Sequence, residues 1–142
     1  MIDKLAALLE LQHPDRGMTL ERGRVRRDDI LDIVFPAAHP EIGDLIISDD
    51  ENEATVFVGA ITHAHLGCYE ESLSADQRAD WIAGQVAEFV AALSADRVLL
   101  WKAFGAGGWK VIERPATEAP LSILELRSWF VWSKPLKRGR AG

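Results

Sequence analysis

The chain of 142 residues contains one cysteine, Cys68. A disulfide framework within the chain is therefore excluded, and a lone thiol fits a reducing compartment. No apolar run approaches the roughly 20 residues that a membrane-spanning helix needs. The opening MIDKLAALLELQH carries one early lysine beside Asp3 and Glu10. It lacks the basic, apolar and small-residue order of a secretory signal, so a cytoplasmic location is expected. The G-x-S-x-G turn of a serine hydrolase is absent. Gly105, Gly107 and Gly108 do not form a dinucleotide fingerprint, because Lys110 stands where the third glycine is required. The acidic stretch DDENE, residues 49–53, lacks the alternating acids, glycine and closing glutamate of a calcium-binding EF-hand loop.

Positive charge is also scarce outside one segment. The last nine residues, KPLKRGRAG, carry four positive charges and no acid. The formal charge of the whole is −6, so the rest of the chain stands at −10. A body of that sign repels the phosphates of nucleic acids, which excludes them as partners of the folded part. The basic segment, with Pro135, Gly139 and Gly142, reads as a flexible tail from 134 to 142. Residues 1–133 then form one domain, since a domain usually takes about 100–200 residues.

Apolar residues make up 48% of the chain, ample for a core. Its densest stretch runs from Ala54 to Leu93. ATVFVGAI places apolar side chains on both faces of an extended chain, as in a central strand covered on both sides. Polar residues begin at Thr62, where the strand reaches the rim of its sheet. A helix follows over about 75–93. Ser74 is a suitable N-cap and Gln77 completes a capping box. Asp76 lies near the positive end of the helix dipole. Ile82, Val86, Phe89, Val90 and Leu93 then recur at helical spacing and form one apolar stripe.

Ile2, Leu5, Leu8 and Leu9 predict an N-terminal helix that Pro14 ends. Partial alternation over residues 18–27 places Arg22, Arg24 and Arg26 opposite Val25, which suits an exposed edge strand. ILDIVF and DLIIS read as short strands, and DDENE as the turn of a hairpin. RVLLWK and WKVIE flank the glycine-rich loop as a second hairpin. LSILELR is ambiguous between helix and strand, and SWFVWS reads as a last strand. Short connections favour antiparallel pairing. The expected fold is α+β: a single antiparallel sheet of about five or six strands, with both helices packed on it.

Two clusters carry the functional readings. His63 and His65 share one strand face and Cys68 follows a glycine turn, a set of nitrogen and sulfur donors of the kind zinc takes. Glu70 or Glu71 would then serve as general base. No second ligand pair accompanies them, so the sequence points away from an enzyme and from a resident cofactor, with zinc as the alternative. Trp109, Trp129 and Trp132 form the other candidate, an interaction surface, because tryptophan packs apolar area while keeping an N–H to bond. Acidic charge with tryptophans and no catalytic set points to a non-catalytic protein-interaction module of inhibitor, immunity or chaperone type. Its partner is another protein or a second copy as a homodimer. The alternatives are a metal-binding protein or metal-dependent hydrolase using His63, His65 and Cys68, and a small-molecule module with a pocket between helix 75–93 and the sheet.

Overall fold

The computed structural model describes residues 2–25, 30–50, 52–120 and 127–137. The fold is α+β, with its strands arranged in two antiparallel sheets. Helix α1 (Ile2–Gln12) leads into a five-stranded meander: β1 (Thr19–Arg22), β2 (Leu31–Phe35), β3 (Leu45–Asp50), β4 (Glu53–Val58) and β5 (Thr62–Gly67). Helix α2 (Ala75–Ser94) follows. The second sheet comprises β6 (Val98–Ala103), β7 (Ala106–Val111), β8 (Ser128–Val131) and β9 (Lys134–Leu136), in the order β7-β6-β8-β9.

The single sheet expected from the sequence is thus divided in two. The apolar run from Ala54 is divided as well. Rather than one central strand it is a hairpin, because the chain turns over Gly59–Ile61 and returns as β5. Ile61 N donates to Val58 O at 3.1 Å, and Gly59 takes a left-handed φ of 53°. A Cβ at Gly59 would lie 1.6 Å from the carbonyl oxygen of Ile42, so no side chain fits there. The expected tail also begins with structure, since Lys134–Leu136 pairs with β8 as an edge strand.

Period-two alternation assigns the faces of the first sheet. Ile33, Ile47, Val56 and Ala64 form one continuous buried row across β2 to β5. These residues belong to a single core with Leu5 and Leu9 of α1 and with Ile82, Val86, Phe89, Val90 and Leu93 of α2. The second sheet contributes Val98, Leu100 and Phe130 to the same core. The opposite face of the first sheet carries the row Thr19, Val34, Ile46, Phe57 and His63. A smaller cluster of Ala119, Val131 and Leu136, with Leu99 and Trp129 packed against it, lies apart from the main core.

The start of α2 forms as its sequence predicts. Ser74 Oγ accepts from Gln77 N at 3.2 Å, and Gln77 Oε1 accepts from Ser74 N at 2.8 Å. Two of the backbone N–H groups that a helix start leaves unpaired are thereby satisfied.

Two glycines should respond to alanine in opposite senses. Gly59→Ala meets both the left-handed backbone and the Ile42 carbonyl, and is expected to cost roughly 2–4 kcal/mol. Gly84→Ala enters open space within α2 and is expected to add about 1 kcal/mol through helix propensity alone. Urea denaturation of the two variants against the parent chain measures both.

Candidate functional site

β5 and β7 are each the last strand of their sheet on one side. No hydrogen-bonded ladder joins them among the described residues. They come together where the Ile61 carbonyl faces Gly107, close enough that a Cβ on Gly107 would lie 1.9 Å from that oxygen. Both strands run onward from this contact. Farther along, a groove of about 550 Å³ lies between them and α2. Leu66 of β5, Trp109 and Val111 of β7, and Phe89 and Ala92 of α2 supply its apolar lining. Gln85, Glu88 and Arg97 supply its polar groups.

Each wall has a local cause. Trp109 lies across from Leu100 in the β6–β7 ladder, so it shares the core side of that sheet. Its indole meets Phe89 edge-on with ring centroids 5.0 Å apart, a favoured geometry for aromatic pairs. Gln85 Nε2 donates to Gly67 O at 3.2 Å and Arg97 Nε donates to Ile112 O at 3.1 Å. These two bonds tie α2 to the end of β5, and the start of β6 to the segment after β7. Val111 remains 44% exposed at the rim, which leaves apolar surface available to an incoming group.

The other tryptophans do not join Trp109. Trp132 is buried in the main core. Trp129 packs at a tilt against Trp101 with centroids 5.7 Å apart, beside the smaller cluster. The Arg127 guanidinium lies over both rings, 5.4 Å from the Trp101 centroid and 5.9 Å from that of Trp129, a cation–π arrangement. Of the three candidate interaction residues, Trp109 alone lines the groove.

His63 and His65 do share an exposed face, and their rings meet edge-on at 4.9 Å. Cys68 is buried in the core on the other side of the sheet. Alternation accounts for this, since residues 64, 66 and 68 have the parity opposite to 63 and 65. Among the described residues no group of three histidine, cysteine or acidic side chains is placed to hold a metal ion. Glu70 receives hydrogen bonds from Ser72, at 2.9 Å from its hydroxyl. His13 packs edge-on against Phe35, and burial followed by the charge of Arg16 lowers its pKa from the ordinary 6.5.

His65 instead belongs to a network that sequence reasoning missed. Its Nδ1 lies 3.0 Å from Glu53 Oε1 and 3.3 Å from Thr55 Oγ1. Tyr69 donates its hydroxyl to the other oxygen of Glu53. The Tyr69 bond, then the His65 contact, hold the Glu53 carboxyl below its ordinary pKa of 4.5. The same bond, together with burial and the charges of Glu53 and Asp50, raises the Tyr69 phenol above 10. Cross-strand pairing of Thr55 with His65 and of Glu53 with Gly67 was the available signal, and it appears only once β4 and β5 are seen as a hairpin.

Set against known protein families, curated proteins and solved structures, the chain matches none.

The Glu53–Tyr69 bond should give stability a pH signature. Glu53 has a depressed folded pKa, so its contribution is present above the ordinary 4.5 and lost as pH falls through the folded value. Tyr69 has a raised one, so its contribution is present below 10 and lost as pH rises through the folded value. Melting temperatures of the parent and Glu53→Gln, compared across pH, are expected to differ most near neutrality and to converge in acid.

Proposed function

We propose that the chain is a non-catalytic, acidic protein-interaction module of the cytoplasm, of inhibitor, immunity or chaperone type. The observation that carries this reading is the apolar groove bounded by two edge strands, with Trp109 in its wall and Val111 at its rim. Edge strands present a row of backbone donors and acceptors without a ladder partner, which an extended segment of another protein satisfies by adding as a strand. The groove supplies the pocket for one apolar anchor of that segment. Charge selects its flanks: Glu88 and Arg97 both border the groove, and the body carries −10 outside the C-terminal segment. The occupant argued for is therefore an extended, basic segment of another protein with an apolar side chain at its centre. Opposite charge also speeds the encounter and makes it sensitive to salt.

A second reading draws on the size of the same groove. About 550 Å³ falls within the range of roughly 300–1,000 Å³ typical of small-molecule pockets, and it lies between α2 and the strands.

Quantitative capture with the parent chain and with Val111→Glu separates these readings. The expected result is a basic protein held by the parent, released as salt is raised, and bound at least tenfold more weakly by the variant. A carboxylate in place of the valine must be desolvated against the apolar anchor, a cost of about that factor. Equal capture by both chains overturns the assignment to this groove. Self-association lost in Val111→Glu, seen by light scattering, replaces the foreign partner with a second copy. A rise in melting temperature with a small apolar compound, absent in the variant, favours the second reading.

A further inference from the structure

On the other side of the contact between β5 and β7 lies a second groove, of about 520 Å³, where the β4–β5 and β6–β7 loops meet. One missing side chain brings these loops together, and a second ties the β4–β5 loop to the β2–β3 connection. Gly59 lies against the Ile42 carbonyl and Gly107 against the Ile61 carbonyl, each too close for a Cβ. Backbone therefore rests on backbone, and the groove is framed by main chain. Phe57, Thr62 and His63 line one side, and Lys102 with the 105–107 stretch lines the other.

The chemistry of this lining differs from the rest of the molecule. It includes no carboxylate, although the chain carries a formal charge of −6. Thr62, His63 and Lys102 make no side-chain hydrogen bond or ion pair among the described residues. Their donors are available to a ligand. At the tip of the β6–β7 loop, next in sequence to Gly105 of the lining, Phe104 is 91% exposed and holds a φ of 26°. A bulky residue seldom adopts that backbone. A phenyl ring held in water in this way gains nothing from burial, and such outliers gather at ligand sites. The His63 and Phe57 rings, 5.8 Å apart, provide an aromatic surface within the lining itself.

We propose that this groove binds a small planar organic anion, a ring that bears a phosphate or a carboxylate. Lys102 and Thr62 take the anionic group, as charge-assisted and neutral donors respectively. The ring packs on the His63–Phe57 pair. Aromatic carboxylates and nucleoside monophosphates share this chemistry, and the volume suits either. The site is separate from the groove along α2, so it stands or falls independently of the protein-interaction reading.

The test is an amide-resolved NMR titration of the full chain at constant ionic strength with benzoate, adenosine monophosphate, adenosine and inorganic phosphate. Saturable shifts at residues 59–63 and 102–107 are expected with benzoate or with the nucleotide, and which of the two binds tells carboxylate from phosphate. Lys102→Gln should weaken that binding about tenfold, while leaving the spectrum elsewhere unchanged because Lys102 is exposed. His63→Ala should weaken it by a smaller factor. The proposal is overturned if neither benzoate nor the nucleotide shifts these amides at millimolar concentration, or if Lys102→Gln binds as tightly as the parent. Adenosine binding as well as its monophosphate removes the anion from the proposal. Inorganic phosphate binding as tightly as the nucleotide removes the ring.

Discussion

The buried arc of α2 is wider than one sheet can cover. Ile82, Ala83, Val86, Ala87, Phe89, Val90, Ala92 and Leu93 are all buried. At 3.6 residues per turn they span roughly 220° of the helix circumference, about twice the apolar stripe of an ordinary surface helix. The first sheet and α1 meet part of that arc, and Val98, Leu100, Phe130 and Trp109 of the second sheet close on more of it. Fully burying a side chain such as Val86 or Leu93 is worth about 1.5–3 kcal/mol, so leaving either flank of the helix in water would cost several such contributions. The second sheet is needed for this reason: α2 requires cover that a five-stranded meander does not provide.

Two sheets closing on one helix must meet at an edge. The meeting is made by main chain, with the Ile61 carbonyl against Gly107 and no ladder between β5 and β7 among the described residues. A continuous ladder would seal the surface, whereas a single point of contact leaves space on both sides of it. The apolar groove along α2 and the polar groove at the loops are those two spaces. Both follow from how the core is assembled, and both depend on glycine at a position where a methyl group would not fit.

The helix was legible in the sequence because its signals are local. Cap, capping box and apolar repeat lie within twenty residues, and each reads the same in the fold. The β4–β5 hairpin was hidden for a physical reason. Its loop, Gly59–Ala60–Ile61, contains no Asn, Asp or Pro, and Ile61 belongs to the core, so the turn is as apolar as the strands beside it. The division into two sheets was hidden differently. Pairing of Trp101 with Trp129 joins residues 28 apart in the chain, and no local pattern announces it. The shared face of His63 and His65 was readable from alternation. The same alternation carried Cys68 to the opposite side, so the parity of one strand already separated the thiol from the imidazoles. LSILELR, left ambiguous in sequence, lies for residues 121–126 outside the described part of the chain, as does Arg26.

The two grooves differ in what they can hold, and charge sets the difference. At physiological ionic strength the field of an exposed charge decays over about 8 Å, so the overall −6 governs how a partner approaches more than what it meets on contact. Along α2, Glu88 and Arg97 offset each other beside apolar walls, which suit an apolar group. At the loops, Lys102 and the hydroxyl of Thr62 stand in a lining free of carboxylates, where an anion finds donors without a nearby like charge to repel it. A ligand suited to one groove is therefore poorly suited to the other. Two spaces produced by one assembly constraint are in this way chemically independent.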